Sequence, residues 1–217
     1  NLFWEDFVQA TCLPNNCGCE LIRFGEWIRQ PANLFSSLAY VFIGIRLIFI
    51  SKTFHQRFWS SLCIVLGISS HLAHASFVQV FMSMDFTSII SLMIYPPLTI
   101  LTQKKGKAAH LASVLLSSIV IFGLMFFLPK WIKIISSLAL FAVILVYHIR
   151  YMRNELRHGT FLGSLALLTL GFLFFMLDEA KIFCVADTWF QLHSLWHILT
   201  ALALFMYGKW SFHSGRW

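Results

Sequence analysis

The sequence predicts an all-α membrane protein of seven transmembrane helices, with the N-terminus outside and the C-terminus in the cytoplasm. Three observations predict it. Of 217 residues, 59% are hydrophobic and only 12% charged, whereas a soluble domain is typically about 25% charged. Seven stretches are apolar over lengths close to the roughly 20 residues that a helix needs to cross a bilayer. Lys and Arg then fall unevenly on the two sides of the seven-span map, and the richer side marks the cytoplasm.

The seven segments are 30–51, 58–76, 85–103, 109–128, 131–147, 159–177 and 192–208. Polar or turn-forming breaks separate them, among them "SKTFHQR", "QKKGK", "PK", "RYMRNELRH" and "LDEAKIFCVADTW". Runs this long and this continuously apolar are helices, because a barrel strand would alternate. Pro96 and Pro97 fall inside the third segment and predict a kink there. The fifth segment is the weakest, since Lys133 lies within it; a lysine stem can carry its ammonium out to the interface.

One side of this map carries Lys52, Arg57, Lys104, Lys105, Lys107, Arg150, Arg153, Arg157, Lys209 and Arg216. The other carries Arg23, Arg29, Lys130, Lys133 and Lys181, while Arg46 sits in the first segment and reaches toward the richer side. Opposite sides for the two termini require an odd number of spans. The chain thus divides into an extracytoplasmic cap segment (1–29), a seven-helix domain (30–208) and a cytoplasmic tail (209–217). The net charge of +7 is that of cytoplasmic loops, not of a nucleic-acid binder. The first residues show no signal-peptide pattern, because Glu5 and Asp6 come early with no basic stretch before an apolar core. No P-loop, nucleotide fingerprint or low-complexity run is present.

Polar residues inside the spans carry the functional signal. On this map Ser70 and His74 lie near the outer end of the second segment, within "SSHLAHAS". Asp85 opens the third, Asp178 follows the sixth, and "QLHSLWHILT" puts His193 and His197 in the first turns of the seventh. All fall at one membrane depth, where ionisable groups are costly and face a partner or a cavity. His193 and His197 are four apart and share a helix face, as do Ser70 and His74. Three imidazoles from two helices make a tripod for a metal ion with one position left open, the pattern of a catalytic zinc site. The alternatives are separately satisfied polar residues, or a haem held by two histidines. His71 lies about 100° around the helix from Ser70 and points elsewhere.

These pieces resemble the alkaline ceramidases, within the wider superfamily of seven-span hydrolases that includes adiponectin-receptor-like proteins. The matching stretches are Cys19–Glu20, "QPANLFSSLAY", "SHLAH" followed eleven residues later by Asp85, "GFLFFMLDEAKIFC" and "HSLWHILTA". They run across nearly the whole chain in the family's order, and this chain reads as a divergent or bacterial-type member. The resemblance implies a zinc ion on His74, His193 and His197, with the catalytic pair Asp85 and Ser70 beside the reacting water. It implies hydrolysis of the N-acyl bond of ceramide or a related N-acyl lipid, and a disulfide between Cys19 and Cys184. Asp178 fits behind the ligands, orienting an imidazole N–H.

The chain departs from that family at its N-terminus. Eukaryotic members bind calcium through an acidic segment. Here Cys17, Ile22 and Gln30 stand at expected acidic or amide positions, with only Glu20 and Glu26 nearby. Calcium needs six to eight oxygens, so no calcium site of that type is expected, and the segment reads as a lid over the outer site. Cys12, Cys17, Cys19 and Cys184 all fall on the outer side, where disulfides are permitted; a metal-binding pair at Cys17 and Cys19 is the rival. Three function classes remain: a lipid amidase, a receptor-type protein with a structural zinc, and a transporter or haem carrier. The intact Ser70 and Asp85 favour hydrolysis.

Overall fold

The computed structural model describes residues 3–13, 17–102, 105–151 and 159–213. Seven α-helices are found among them: α1 Pro31–Ile50, α2 Phe54–Ser76, α3 Gln79–Thr102, α4 Lys107–Phe127, α5 Lys130–Tyr151, α6 Gly159–Glu179 and α7 Leu192–His213. A short 3₁₀ turn, Phe3–Asp6, precedes them. No strand occurs among the described residues, only an isolated bridge between Gln9 and Val78. Five helices, α1 to α4 and α6, are long and apolar enough to cross a membrane. That is the make-up of a multi-pass membrane protein. In α5 the apolar stretch among described residues is Trp131–Leu140. Of the cations used to orient the chain, Lys104, Arg153, Arg157 and Arg216 lie outside the described residues.

Local sequence explains several boundaries. α2 begins four residues before the apolar run, because Thr53 caps it. The Thr53 hydroxyl accepts the Gln56 N–H at 3.2 Å, while the Gln56 side chain accepts the Thr53 N–H at 3.3 Å. That reciprocal box satisfies two otherwise orphaned donors. α1 has Pro31 at its first turn, where a missing N–H costs nothing. Its next two amides, Ala32 and Asn33, donate to the two oxygens of Glu20 at 2.7 and 2.9 Å. α3 starts at Gln79, so Asp85 sits in its second turn and not at its mouth. It also runs through Pro96 and Pro97 as one helix.

Helix α1 packs on α2 and α7, α2 on α3, α3 on α4, and α6 on α7. Gly67 lets α1 and α2 approach: a Cβ there would lie 2.8 Å from the Val41 amide nitrogen. Tyr40, Leu47, Trp59, Cys63, Leu66, Leu92, Tyr95, Val114 and Ala201 form the buried centre. Phe42, Phe49, Leu101, Ile119 and Phe127 project outward, a greasy exterior suited to lipid and not to water. The N-terminal segment carries an internal disulfide, Cys12–Cys17, and is tied to the connection between α6 and α7 by a second, Cys19–Cys184.

Candidate metal centre

The last two turns of α2 and the first two of α7 bring His74, His193 and His197 together. Their ring centroids are 5.0, 5.1 and 4.7 Å apart. One ligand atom from each lies within 4.8 Å of the others. The fit to a metal ion rests on the hydrogen bonds behind the rings.

His74 Nδ1 is 2.9 Å from Gln30 Oε1. The Gln30 amide nitrogen already donates to the Glu20 carbonyl at 2.9 Å, so its oxygen is the atom facing His74 and can only accept. His74 therefore carries its proton on Nδ1 and presents a bare lone pair at Nε2. That Nε2 is buried and has no hydrogen-bond partner. His197 is set the same way. Its Nδ1 lies 3.1 Å from the Asn33 carbonyl and 2.8 Å from Ser36 Oγ. Ser36 spends its own proton on that carbonyl at 2.9 Å, so Nδ1–H is the donor to both. His197 Nε2 lies a long 3.5 Å from Ser70 Oγ. His193 Nδ1 faces Asp178 Oδ2 at 3.7 Å. Two rings are thus held from behind by hydrogen bonds to a side-chain amide oxygen or to a carbonyl and hydroxyl, and the third faces a carboxylate, the arrangement that fixes tautomer and direction in metal-binding histidines. Two imidazoles with inward lone pairs, and a third whose ligand atom lies within 4.8 Å of theirs, suit a divalent cation of the zinc class, which takes nitrogen ligands in tetrahedral sites.

Asp178 does more than face His193. It is 1% exposed, and its Oδ2 accepts the Cys19 N–H at 3.2 Å. The Cys19–Cys184 disulfide therefore ties the cap to the carboxylate behind a ligand. Gly18 is required beside it: its φ is +85°, and an added Cβ would fall 2.6 Å from Asp178 Oδ2.

Asp85 and Ser70 border the same space. Both are buried, and Asp85 Oδ1 has no hydrogen-bond partner. All five residues line one cavity of about 240 Å³. Below them the walls are apolar: Leu66, Phe86, Leu92, Phe161, Leu168 and Phe172. His71 is directed away, with Nδ1 3.1 Å from the Leu34 carbonyl.

Sequence spacing groups the three histidines, but it does not reveal Gln30, Asn33 and Ser36 as their supports. The available signal was a polar residue every third position at the start of an apolar helix. Lys133 also departs from expectation. Instead of reaching outward to the interface, it is turned into the cavity, 3% exposed. In the cap, both oxygens of Glu20 are taken by α1 amides, and burial pushes its carboxyl above the ordinary value, the two amide bonds opposing. Glu26 is exposed beside Arg23 at 4.0 Å. Comparison with known proteins gives no match, either to a family model or to a curated sequence.

Proposed function

We propose that this chain is a seven-span intramembrane amidase that uses zinc to cleave the N-acyl bond of ceramide or a related N-acyl lipid, with its site near the extracytoplasmic face. One observation carries the reading. Three imidazoles bring one ligand atom each within 4.8 Å of the others, two of them with hydrogen-bonded Nδ1 atoms and the third facing Asp178, beside a buried carboxylate and hydroxyl in a largely apolar cavity. The resemblance of "SHLAH", Asp85 and "HSLWHILTA" to alkaline ceramidases supports it, as does the Lys and Arg asymmetry for orientation.

His74, His193 and His197 would hold the ion. Zinc supplies Lewis acidity, polarising a carbonyl and making water acidic near neutral pH. The chain's own residues do the rest. Asp85 takes the proton of the attacking water as its oxygen bonds to the acyl carbon. Asp85 returns that proton to the amine nitrogen as the C–N bond breaks. Ser70 donates to the oxyanion that develops on the carbonyl oxygen, a contribution of about 3 kcal/mol. The apolar walls accept the acyl chain and keep bulk water away. The products are a fatty acid and a free amine.

The test is release of fatty acid from a panel of N-acyl lipids by the purified zinc-loaded protein, detected by mass. Wild type should release it and Asp85→Asn should not, with metal content equal in both. Equal behaviour of the two across the panel overturns the amidase.

A further inference from the structure

Lys133 stands in the first turn of α5, and it faces the opposite way from what its charge would ask of a helix with a lipid-facing exterior. Trp131 and Ile135 are 61% and 63% exposed, while Lys133 is 3% exposed. The start of the helix gives Trp131, Ile132 and Ile135 to the exterior, buries Ile134, and turns its cation to the cavity that also holds His74, His193, His197, Asp85 and Ser70. A lysine at the end of a membrane helix has a cheap alternative, which is to extend outward to the interface. Turned inward it loses water, and a buried ammonium is costly unless an anion meets it.

The described residues do not supply that anion. Two other carboxylates border the cavity, Asp85 and Glu179. Among the described residues, neither forms an ion pair with Lys133. The rest of the wall is overwhelmingly apolar. Such a space is complementary to a molecule with a long hydrocarbon chain and one negative group. A neutral ceramide fills the apolar part and leaves the ammonium unanswered.

We propose that Lys133 receives the anionic head group of the substrate, so that the substrate class is an N-acyl lipid bearing a carboxylate or phosphate on its amine side. This deepens the amidase reading and rests on it for the identity of the cleaved bond. Fatty acid released in the reaction also carries a carboxylate, and the experiment separates that source.

The full chain in detergent is compared as wild type, Lys133→Met and Lys133→Arg. The probes are N-oleoylglycine, its uncharged amide N-oleoylglycinamide, and oleate. Binding is read on metal-free protein by thermal shift, and release of oleate on zinc-loaded protein by mass. Wild type should bind and cleave the anionic probe at least about 10-fold better than the neutral one. Lys133→Met should lose that preference, and Lys133→Arg should keep most of it. Cleavage of both probes that depends on Asp85 but ignores charge overturns the head-group assignment and leaves the amidase standing. A charge preference in binding that vanishes in Lys133→Met, with no release from either probe, upholds the anion site and removes the amidase. If Lys133→Met weakens oleate alone, the lysine holds the product, and the proposal falls. A Lys133→Met protein that does not fold leaves wild type against Lys133→Arg and the neutral probe to decide: no charge preference in either sinks it.

Discussion

The molecule holds histidines at both ends of α2, and the two groups are built from the same residue type to different ends. His74 and His55 are nineteen residues apart on that helix, roughly 28 Å at 1.5 Å per residue. At the far end from the metal centre, His55 Nδ1 lies 3.2 Å from the Tyr95 hydroxyl, which itself donates to the His55 carbonyl. His110 Nδ1 lies 2.7 Å from Thr102 Oγ1, which donates to the Leu98 carbonyl at 2.6 Å. So both of these imidazoles also carry their proton on Nδ1, and His110 Nε2, like His74 Nε2, is buried without a partner. The tautomers match; the surroundings do not. His110 is packed against the rings of His55, Tyr95 and Phe58 at 4.7, 5.1 and 6.4 Å. None of these neighbours is a carboxylate. His74 has two more imidazoles, a carboxylate and a cavity. An unpartnered lone pair becomes a candidate ligand atom when other ligand atoms converge on it, and otherwise it is packing.

The sharpest way to break that contrast is at Asp85, the proposed acid–base residue. Asp85→Asn should lower fatty-acid release by about 10²–10⁴-fold with metal content kept. His110→Phe, among the rings of His55, Tyr95 and Phe58, should leave release within about 3-fold. If His110→Phe were as damaging as Asp85→Asn at equal folded yield, the two ends would not be functionally distinct.

Metal analysis tests the same contrast one step further back. Gln30 holds His74 through a single side-chain oxygen. Gln30→Ala should weaken metal binding by about 10–100-fold, the usual cost of losing a group behind a ligand. His55→Ala should leave stoichiometry and affinity unchanged by competition with a chelator. Metal lost from His55→Ala would mean that the far pair binds it too.

A matched pair of glycines refines the comparison. Gly18 and Gly106 have φ of +85° and +86°, so Ala strains the backbone at either by about 1–3 kcal/mol. Only at Gly18 would the new Cβ strike something, Asp178 Oδ2 at 2.6 Å; at Gly106 nothing lies within 4 Å. Both variants should melt earlier than wild type. Gly18→Ala alone should also lose metal affinity, because it displaces the carboxylate behind His193.

What the sequence revealed about these ends follows from what spacing encodes. His193 and His197, four apart, share a face on any helix, and hydropathy places them level with His74. That much needs no tertiary knowledge. Gln30, Asn33 and Ser36 were not legible as supports, because their partners lie 44, 164 and 161 positions away, on helices whose rotation against α1 no local pattern sets. Lys133 was read in the wrong direction for a related reason. Hydropathy averages a segment and is blind to which face a residue occupies. α2 and α3 both begin earlier than their apolar runs. Capping by Thr53 decides the first, and the polar early turns of α3 serve the interior of the site, so an apolar count discards them. Seven long helices were legible; the inward face of the fifth was not.

The smallest expected effect concerns the cap. Glu20 is buried against the start of α1, and desolvation holds its folded-state pKa above the ordinary carboxylate value despite two amide donors. The folded protein therefore binds that proton more tightly than the unfolded chain. The resulting stabilisation is fully present below the unfolded pKa and is lost as pH rises through the folded one. Wild type should accordingly lose some thermal stability between mildly acidic and neutral pH, and Glu20→Gln, which cannot ionise, should lose less over the same interval. The far end offers the control, since its capping residues Thr53 and Gln56 do not titrate: Gln56→Ala should lower stability by a similar amount at every pH, about 1 kcal/mol. If the Glu20→Gln slope were steeper than wild type, the two amide bonds would outweigh burial, and Glu20 would be a stabilising carboxylate cap of α1 in its charged form.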